Sequence, residues 1–178
     1  MIGLKRGTVK LVKYDPKWRQ NFRMESKKIQ KIFGGDVIEA QHVGSTAIPG
    51  ILAKPIIDIA IVVPSLCRVR HYVKKLKGIG YKIKKDDTRK ERLFFTKGPE
   101  RQRTYYLHIG EIGSSYVKNM VLFRDYLCNN EDMAKKYSAL KENLAIKYQN
   151  NREIYSKKKE KMIKETIKRS NKSLRKLK

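Results

Sequence analysis

The run Pro-Ile-Ile-Asp-Ile-Ala-Ile-Val-Val, residues 55–63, constrains this chain most, because it is the most strongly β-branched segment of the sequence. Its apolar residues are nearly continuous, which is typical of a central strand covered on both faces. One carboxylate, Asp58, interrupts the run. A buried carboxylate is costly unless a cation, a metal or several donors accompany it. The run therefore predicts an interior strand with either a functional site at Asp58 or a structural aspartate satisfied by backbone donors or Lys54.

The apolar periodicity of the rest of the chain predicts an alternation of strands and helices, followed by helices alone. The predicted elements are a short strand 9–12, a helix from Asp15-Pro16 to Gly34-Gly35, strands 37–43 and 55–63, a helix capped by Ser65, strands 81–84, 92–96 and 104–109, and three helices after Ser114, the last capped by Asn151. A charged loop is expected at 86–91. This order predicts an α+β fold, a mixed sheet with flanking helices.

The length of 178 residues suits one domain, with a sheet part at about 9–110, a helical part at about 114–167 and a basic tail at 168–178. Apolar residues make up 40% of the chain, so it can build a core. No apolar stretch approaches the ~20 residues of a membrane helix, and the N-terminus lacks the apolar region of a secretory signal. We therefore expect a cytoplasmic protein whose two cysteines, Cys67 and Cys128, are buried, reduced thiols.

A strong positive charge, +26 from 43 basic and 17 acidic residues, favours polyanionic partners such as nucleic acid or nucleotides. Most of this excess positive charge comes from lysine, so a lysine-rich amino-acid composition could produce it without any binding role. Residues 157–178 hold eleven basic and two acidic side chains. This segment is either a solvated helix face with a frayed or exposed end, or a salt-dependent contact to the phosphate backbone of RNA.

The segment before the central strand carries the second chemical signal. Gly44, Ser45 and Thr46 form a small turn after a predicted strand, and such a turn offers backbone N–H groups and hydroxyls to phosphate oxygens. His42 ends the strand before this turn, and His108 lies near the end of a later strand. Both are predicted to lie near Asp58, either as acid–base or metal-binding groups or as hydrogen-bonded supports of the turn.

Several basic residues could complete an anion site. Arg124 is either paired with Asp125 or Asp58, or a bidentate fork for a phosphate or carboxylate. Lys54 could neutralise a phosphate as a point charge. The C-terminal helices offer a further set of candidates for one side of the pocket, which are Lys141, Arg152, Tyr155 and Lys158.

The spacing from Gly44-Ser45 to Asp58 resembles the nucleotidyltransferase superfamily, in which Gly-Ser precedes Asp-x-Asp by about a dozen residues. The whole chain from about 9 to 167 resembles the GrpB family of bacterial proteins, classed with the nucleotidyltransferase-like fold. The shared marks are Tyr14-Asp15-Pro16-x-Trp18, the segment 42–58, Leu107-His108-Ile109, the segment 122–127, Tyr137 with Leu140-Lys141, Arg152-x-x-Tyr155 and Lys158/Lys159.

The resemblance implies binding of a nucleotide or phosphorylated metabolite, with possible nucleotidyl transfer. A divalent cation, Mg²⁺ or Mn²⁺, would then be bound by Asp58. Ala60 stands where the superfamily has its second carboxylate, and two-metal catalysis needs several carboxylates. We therefore predict at most one tightly held cation. The alternative is a catalytically inactive module of the same fold whose basic C-terminus contacts RNA or another polyanion.

Overall fold

The computed structural model describes residues 2–84 and 91–176. Its centre is a five-stranded sheet with the strand order β1-β2-β5-β4-β3. The strands are β1 (Glu39–Val43), β2 (Ile57–Val63), β3 (Tyr81–Ile83), β4 (Leu93–Lys97) and β5 (Tyr105–Glu111). β2 and β5 pair in parallel, and the other neighbours pair antiparallel. The residues 55–63 thus supply an interior strand, as their β-branched composition predicts.

Helices cover both faces of this sheet. They are α1 (Lys17–Phe33), α2 (Val73–Gly78), α3 (Ser115–Cys128), α4 (Glu131–Lys147) and α5 (Arg152–Lys176). α1 and α2 pack on one face, while α3 lies on the other face and packs against α4 and α5. The predicted α+β class, a mixed sheet with flanking helices and a helical C-terminal region, is confirmed.

Successive side chains of β2 point to opposite faces of the sheet. Ile57, Ile59 and Ile61 point into the main core beneath α1 and α2. Asp58 and Ala60 lie on the opposite face, toward α3. A strand buried on both sides can therefore carry a carboxylate on one side without interrupting the core on the other.

Two predicted elements take a different form. Residues 9–12 are not a strand of the sheet, because Val12 forms a single antiparallel bridge to Ala53 and Val9 donates its N–H to Gln149 O at 2.7 Å. The helix capped by Ser65 begins as the 3₁₀ helix Leu66–Tyr72 before α2. The cap itself is present, since Ser65 Oγ accepts the N–H of Cys67 at 3.3 Å.

The prediction that both cysteines are buried is wrong. Cys67 lies at the start of the 3₁₀ helix and is exposed. Cys128 is the last residue of α3 and is also exposed. Helix ends at the surface hold both thiols, so their apolar character does not place them in the core.

The C-terminal helix is longer than its apolar periodicity indicates. Asn151 caps it as predicted, because Ile154 N–H donates to Asn151 Oδ1 at 3.0 Å. The helix continues to Lys176, and its basic residues beyond 167 are exposed at Lys168, Arg169, Lys172 and Arg175.

Of the loop predicted at 86–91, only Glu91 belongs to the described residues, and it is exposed. None of the helices in the described ranges combines the length and apolar character that crossing a membrane requires.

Candidate functional site

A cleft of about 1370 Å³ lies between the Asp58 face of the sheet and the C-terminal helices. β2, β5 and β4 form its floor, the turn after β1 forms one rim, and α3, α4 and α5 form its walls. The predicted site residues that line it are Gly44, Ser45, Thr46, Lys54, Asp58, His108, Lys141, Arg152 and Tyr155. The side chain of Asp58 is 25% exposed, so it opens into the cleft from an interior strand.

The turn after β1 lies directly against Asp58. Gly44 has φ +71°, and a Cβ at this position would stand 2.6 Å from Asp58 Oδ2. Only glycine satisfies both the left-handed backbone and this close approach. Thr46 is buried, and its hydroxyl lies 3.0 Å from His42 Nε2 and 3.5 Å from the Ile56 carbonyl. The Thr46 hydroxyl therefore holds the turn in place.

A chain of hydrogen bonds orients the Asp58 carboxylate. Asp58 Oδ1 lies 3.1 Å from His108 Nε2, and His108 Nδ1 lies 2.7 Å from the Tyr116 hydroxyl. Arg92 Nη1 donates to that hydroxyl. Since arginine can only donate, Tyr116 accepts from Arg92 and can donate its own proton to His108 Nδ1. His108 then carries its proton on Nε2 and donates it to Asp58. The Asp58 carboxylate, both His108 nitrogens and the Tyr116 hydroxyl therefore each have a hydrogen-bond partner.

Aromatic rings hold His108 from the sides. Phe94 stacks on the imidazole with ring centroids 4.9 Å apart, and it also contacts Tyr106 at 5.4 Å. Tyr116 lies at 5.8 Å from the imidazole on the helical side. The floor of the cleft therefore combines one carboxylate with an aromatic surface.

Three lysines line the cleft opposite this floor. Lys141 is 1% exposed, and burial together with the charge of Lys159 lowers its pKa to about 7. Burial also lowers the pKa of Lys159 to about 8, although Asp58 acts in the opposite direction. Burial and then the charges of Arg152 and Lys159 hold the pKa of Lys54 well below its ordinary value. Loss of hydration and mutual repulsion both disfavour these ammonium groups.

Tyrosine rings support these cations. Lys54 Nζ lies 5.3 Å and Lys159 Nζ 4.4 Å from the centroid of the buried Tyr155 ring. Arg152 lies 5.1 Å from the centroid of Tyr106 on the floor of the cleft. Such cation–π contacts stabilise a positive group without neutralising its charge.

The structure does not bring His42 into the cleft. In the antiparallel register of β1 and β2, His42 pairs with Ile59, while Val43 pairs with Asp58. His42 thus points to the opposite face, where it stacks on Phe22 at 4.9 Å. Burial lowers its pKa to about 4, so the imidazole is neutral near pH 7. His42 supports the turn through Thr46, which is the second of the two interpretations that the sequence leaves open.

Arg124 and Lys158 also lie outside the cleft lining. Arg124 Nε donates to Asp125 Oδ1 at 2.7 Å, and its Nη1 donates to Gln41 Oε1 at 2.6 Å and to the His42 carbonyl at 2.8 Å. These contacts anchor α3 to β1, and the pair with Asp125 is the first of the two alternatives that the sequence leaves open for Arg124. Lys158 is exposed, because the helical phase turns Lys159 toward the cleft in its place.

A family model described as GrpB protein matches residues 8–169 of the chain. The chain belongs to the GrpB protein family. The glutamate-rich protein GrpB of Alkalihalophilus pseudofirmus is 36% identical over 171 residues, which cover 94% of this chain and 98% of that protein. The UPF0157 protein YqkA of Bacillus subtilis is 35% identical over 156 residues, 88% of this chain. Those residues span 45% of YqkA, so the chain covers less than half of that relative.

One solved structure agrees with this assignment. The crystal structure of conserved protein GrpB from Enterococcus faecalis overlaps with a TM-score of 0.87 and 28% identity, covering 93% of this GrpB chain and 99% of that chain. A Cid1 poly(U) polymerase structure overlaps with a TM-score of 0.42 and 16% identity, covering 73% of this chain and 45% of that chain. An overlap as limited as the second carries no inference about ligand or reaction.

Sequence patterns do not identify several of the residues that line the cleft of this GrpB chain. Phe94, Tyr106 and Tyr116 form the aromatic surface, and Lys159 completes the cation cluster. The sequence does contain a pattern that indicates Lys159. Arg152, Tyr155 and Lys159 are three and four residues apart, so they share one helix face. No comparable pattern links residues on three different elements.

The donor set of this GrpB cleft does not fit a divalent cation held by protein alone. Within residues 2–84 and 91–176, no three His, Cys, Asp or Glu side chains come together as a metal-binding group. Asp58 and His108 supply one carboxylate and one imidazole, already in contact with each other. Mg²⁺ prefers six oxygen ligands in octahedral geometry. The cation predicted at Asp58 therefore stays a prediction.

Proposed function

We propose that this GrpB-family protein binds a phosphorylated small molecule of the nucleotide class in the cleft above Asp58. One observation carries the proposal: Lys54, Lys141, Lys159 and Arg152 converge on a cleft whose floor holds a single carboxylate. Burying like charges together costs hydration and adds repulsion. A bound polyanion would offset both costs, because it supplies the missing negative charge.

The turn beside Asp58 supports phosphate in particular as the anionic group. Its backbone amides follow a glycine in the left-handed conformation, and consecutive amides in such turns form concave sites for anions. Lysines act on a phosphate as point charges, whereas the planar fork of Arg152 can bind two oxygens at once. The cleft thus offers the groups that phosphate recognition uses.

The aromatic surface supports a nucleotide over inorganic phosphate. Phe94 and Tyr106 lie side by side on the floor, and Tyr116 faces them from α3. A cleft that pairs flat apolar rings with a cation cluster suits a ligand with a planar apolar part and a phosphorylated part. A nucleobase joined to phosphates has that composition.

Nucleotidyl transfer is the reaction that the superfamily resemblance implies, and Asp58 with His108 is the pair placed to assist it. His108 holds one carboxylate oxygen at 3.1 Å, so Asp58 can accept a proton from a ligand hydroxyl while keeping its orientation. We assign this pair as the candidate acid–base group, and ligand binding as the function that the geometry supports first.

Calorimetric titration of ATP and ADP into the purified protein tests the proposal. Replacing Lys159 by Met removes one cleft cation, and replacing Lys158 by Met removes an exposed neighbour on the same helix as a matched control. We expect Lys159→Met to weaken binding by about tenfold or more, since a buried charge contact is lost. Lys158→Met should bind like the wild type. Equal affinities for all three proteins, or no binding by any of them, would contradict the proposal.

A second function, binding of RNA or another polyanion by α5, has its own observation. After Glu165 this helix carries basic but no acidic side chains, and Lys168, Arg169, Lys172 and Arg175 are exposed. An exposed row of cations binds a phosphate backbone without sequence preference, in a salt-dependent manner. This surface lies beyond the cleft and can act whether or not the cleft holds a ligand.

A further inference from the structure

The geometry points to phosphate binding in this cleft by lysine and arginine side chains alone, without a divalent cation. The inference rests on the proposed function, which supplies the phosphorylated ligand. It departs from the metal dependence that the superfamily resemblance implies. Three features of the cleft carry it: the surroundings of Ala60, the two oxygens of Asp58, and the positions of the cations.

The position of the missing second acid is closed. Ala60 is fully buried and packs with Val43 and Val117 beneath α3. It pairs with His108 in the parallel register, so it lies on the same face as Asp58. Apart from His108, the neighbours of Ala60 in this cluster are mainly apolar side chains under α3. The site is therefore packed as core on the side where a second carboxylate would stand.

One oxygen of Asp58 already contacts a polar group of the protein, and the other faces the turn after β1. Oδ1 lies 3.1 Å from His108 Nε2. Oδ2 lies against the turn, where a Cβ on Gly44 would stand only 2.6 Å away. A cation bound by Oδ1 would have to share that oxygen with the imidazole. The arrangement suits a carboxylate that orients neighbouring groups better than one that holds a metal.

Cations occupy the space in which a metal would neutralise phosphate charge. Lys54 comes from the segment before β2, whereas Arg152 and Lys159 come from α5, so two elements enclose the same volume. Across the described ranges, the side chains of Lys54 and Lys159 form no ion pair. Lys141 differs, since its Nζ donates to the Leu52 carbonyl and thereby ties α4 to the segment before β2. The ammonium groups of Lys54 and Lys159 are left to contact a ligand.

The charge balance then favours the metal-free ligand. A divalent cation entering this cleft would be repelled by Arg152 and by the protonated lysines, while the phosphates of a free nucleotide would be attracted by them and would favour their protonated form. Mg²⁺ bound to ATP removes part of the negative charge that the lysines recognise. Added Mg²⁺ should therefore leave the affinity for ATP unchanged or lower it.

Calorimetric titration with ATP and with inorganic tripolyphosphate, each in EDTA and in excess Mg²⁺ or Mn²⁺, tests the inference on the full chain. We expect binding in EDTA, and no gain in affinity on adding either metal. Binding that requires metal, or that strengthens about tenfold or more with metal, overturns the inference and leaves the proposed function standing. Absence of binding under every condition overturns both.

Variants separate the two roles of charge in the cleft. Asp58→Asn keeps the size of the side chain but removes its charge, so affinity in EDTA should stay the same or rise. In excess Mg²⁺ the affinity should likewise not fall, whereas a metal site at Asp58 would make the same variant lose affinity about tenfold or more under that condition. Circular dichroism checks that Asp58→Asn folds. If it does not fold, Lys159→Met against Lys158→Met decides, because loss of affinity in EDTA for the first alone supports the inference and equal affinity overturns it.

Discussion

At the scale of single residues, the site depends on how closely the turn after β1 approaches β2. Gly44 is required by its φ of +71° and by the 2.6 Å that would separate a Cβ from Asp58 Oδ2. Gly50 has a similar φ of +77°, but it has no heavy atom within 4 Å of a built Cβ. The two glycines thus share the backbone requirement, and only Gly44 has the steric one.

This contrast makes a prediction for Gly44→Ala. Gly50→Ala should cost about 1–2 kcal/mol from backbone strain alone. Gly44→Ala should cost more, because Asp58 must also move, and it should weaken nucleotide binding. Chemical denaturation and calorimetric titration of both variants measure the two effects. Equal loss of stability in both variants, with ligand affinity intact, would show that the contact with Asp58 is unimportant.

The pKa of Lys141 makes a prediction about stability and pH. Its pKa is about 7 in the folded protein and 10.5 ordinarily, so between these values the unfolded chain binds more protons. The penalty for the buried charge is full below about pH 7 and fades as the pH rises toward 10.5. Lys141 should therefore make the free energy of unfolding increase with pH, by at most about 1.4 kcal/mol per pH unit.

Lys141→Met should reduce that slope between pH 7 and pH 9, as measured by urea denaturation. The lost hydrogen bond to the Leu52 carbonyl costs stability at every pH, so the slope isolates the titration. Lys136→Met on the same helix is the control, because Lys136 is exposed. Identical slopes for the wild type and Lys141→Met would mean that Lys141 does not titrate in this range.

At the scale of elements, the alternation of β2 decides which side chains can serve the site. Asp58 and Ala60 lie on the cleft face, but only Asp58 reaches open space, because α3 covers Ala60. Gly110 on β5 allows α3 this close approach, since a Cβ there would stand 2.8 Å from Val117 Cγ2. The packing of one helix thus limits the acids of the floor to one.

Ala60→Asp tests this limit. Placing a carboxylate among Val43 and Val117 should destabilise the protein by about 3 kcal/mol or more, since the charge loses its hydration in this packed cluster. Thermal unfolding with and without Mg²⁺ or Mn²⁺ measures the effect, and Ala60→Val, which changes size without charge, is the control. Normal stability with a gain of metal-dependent stabilisation would instead place a cation beside position 60.

At the scale of the whole molecule, positive charge is distributed over two separate surfaces. Inside the cleft it surrounds Asp58 on the floor, and along α5 it faces solvent. The net charge of +26 therefore does not by itself identify a binding site. Cleft variants and surface variants should separate the two functions that we propose.

Neutralising the end of α5 tests the surface. Replacing Lys168, Arg169, Lys172 and Arg175 by Gln keeps the buried Ser170 in place and removes four exposed charges. The affinity for single-stranded RNA should fall, and the slope of log affinity against log salt should become less negative by up to about three. Lys159→Met should leave that slope nearly unchanged. An unaltered slope in the four-residue variant would remove α5 from RNA binding.

Much of the fold and part of the site are predictable from local patterns. The β-branched run 57–63, the helix after Asp15-Pro16 and the cap at Asn151 follow from residue preferences that act over a few positions. The Gly44 turn and Asp58 are also predictable, because glycine and serine after a strand favour a turn and an acid in an apolar strand has few structural explanations. These features belong to single elements, so residue preferences over a few positions are enough to define them.

The assembly of the site depends on contacts between segments that are distant in the sequence. The pairing of His42 with Ile59 sends this histidine to the far face, and a shift of one residue would have sent it into the cleft. The rotation of α5 about its axis places Lys159, and not Lys158, in the cleft lining. The packing of α3 buries Ala60 and lets Arg124 donate a hydrogen bond to β1. Register and helix rotation depend on contacts between distant segments, so no local pattern could determine them.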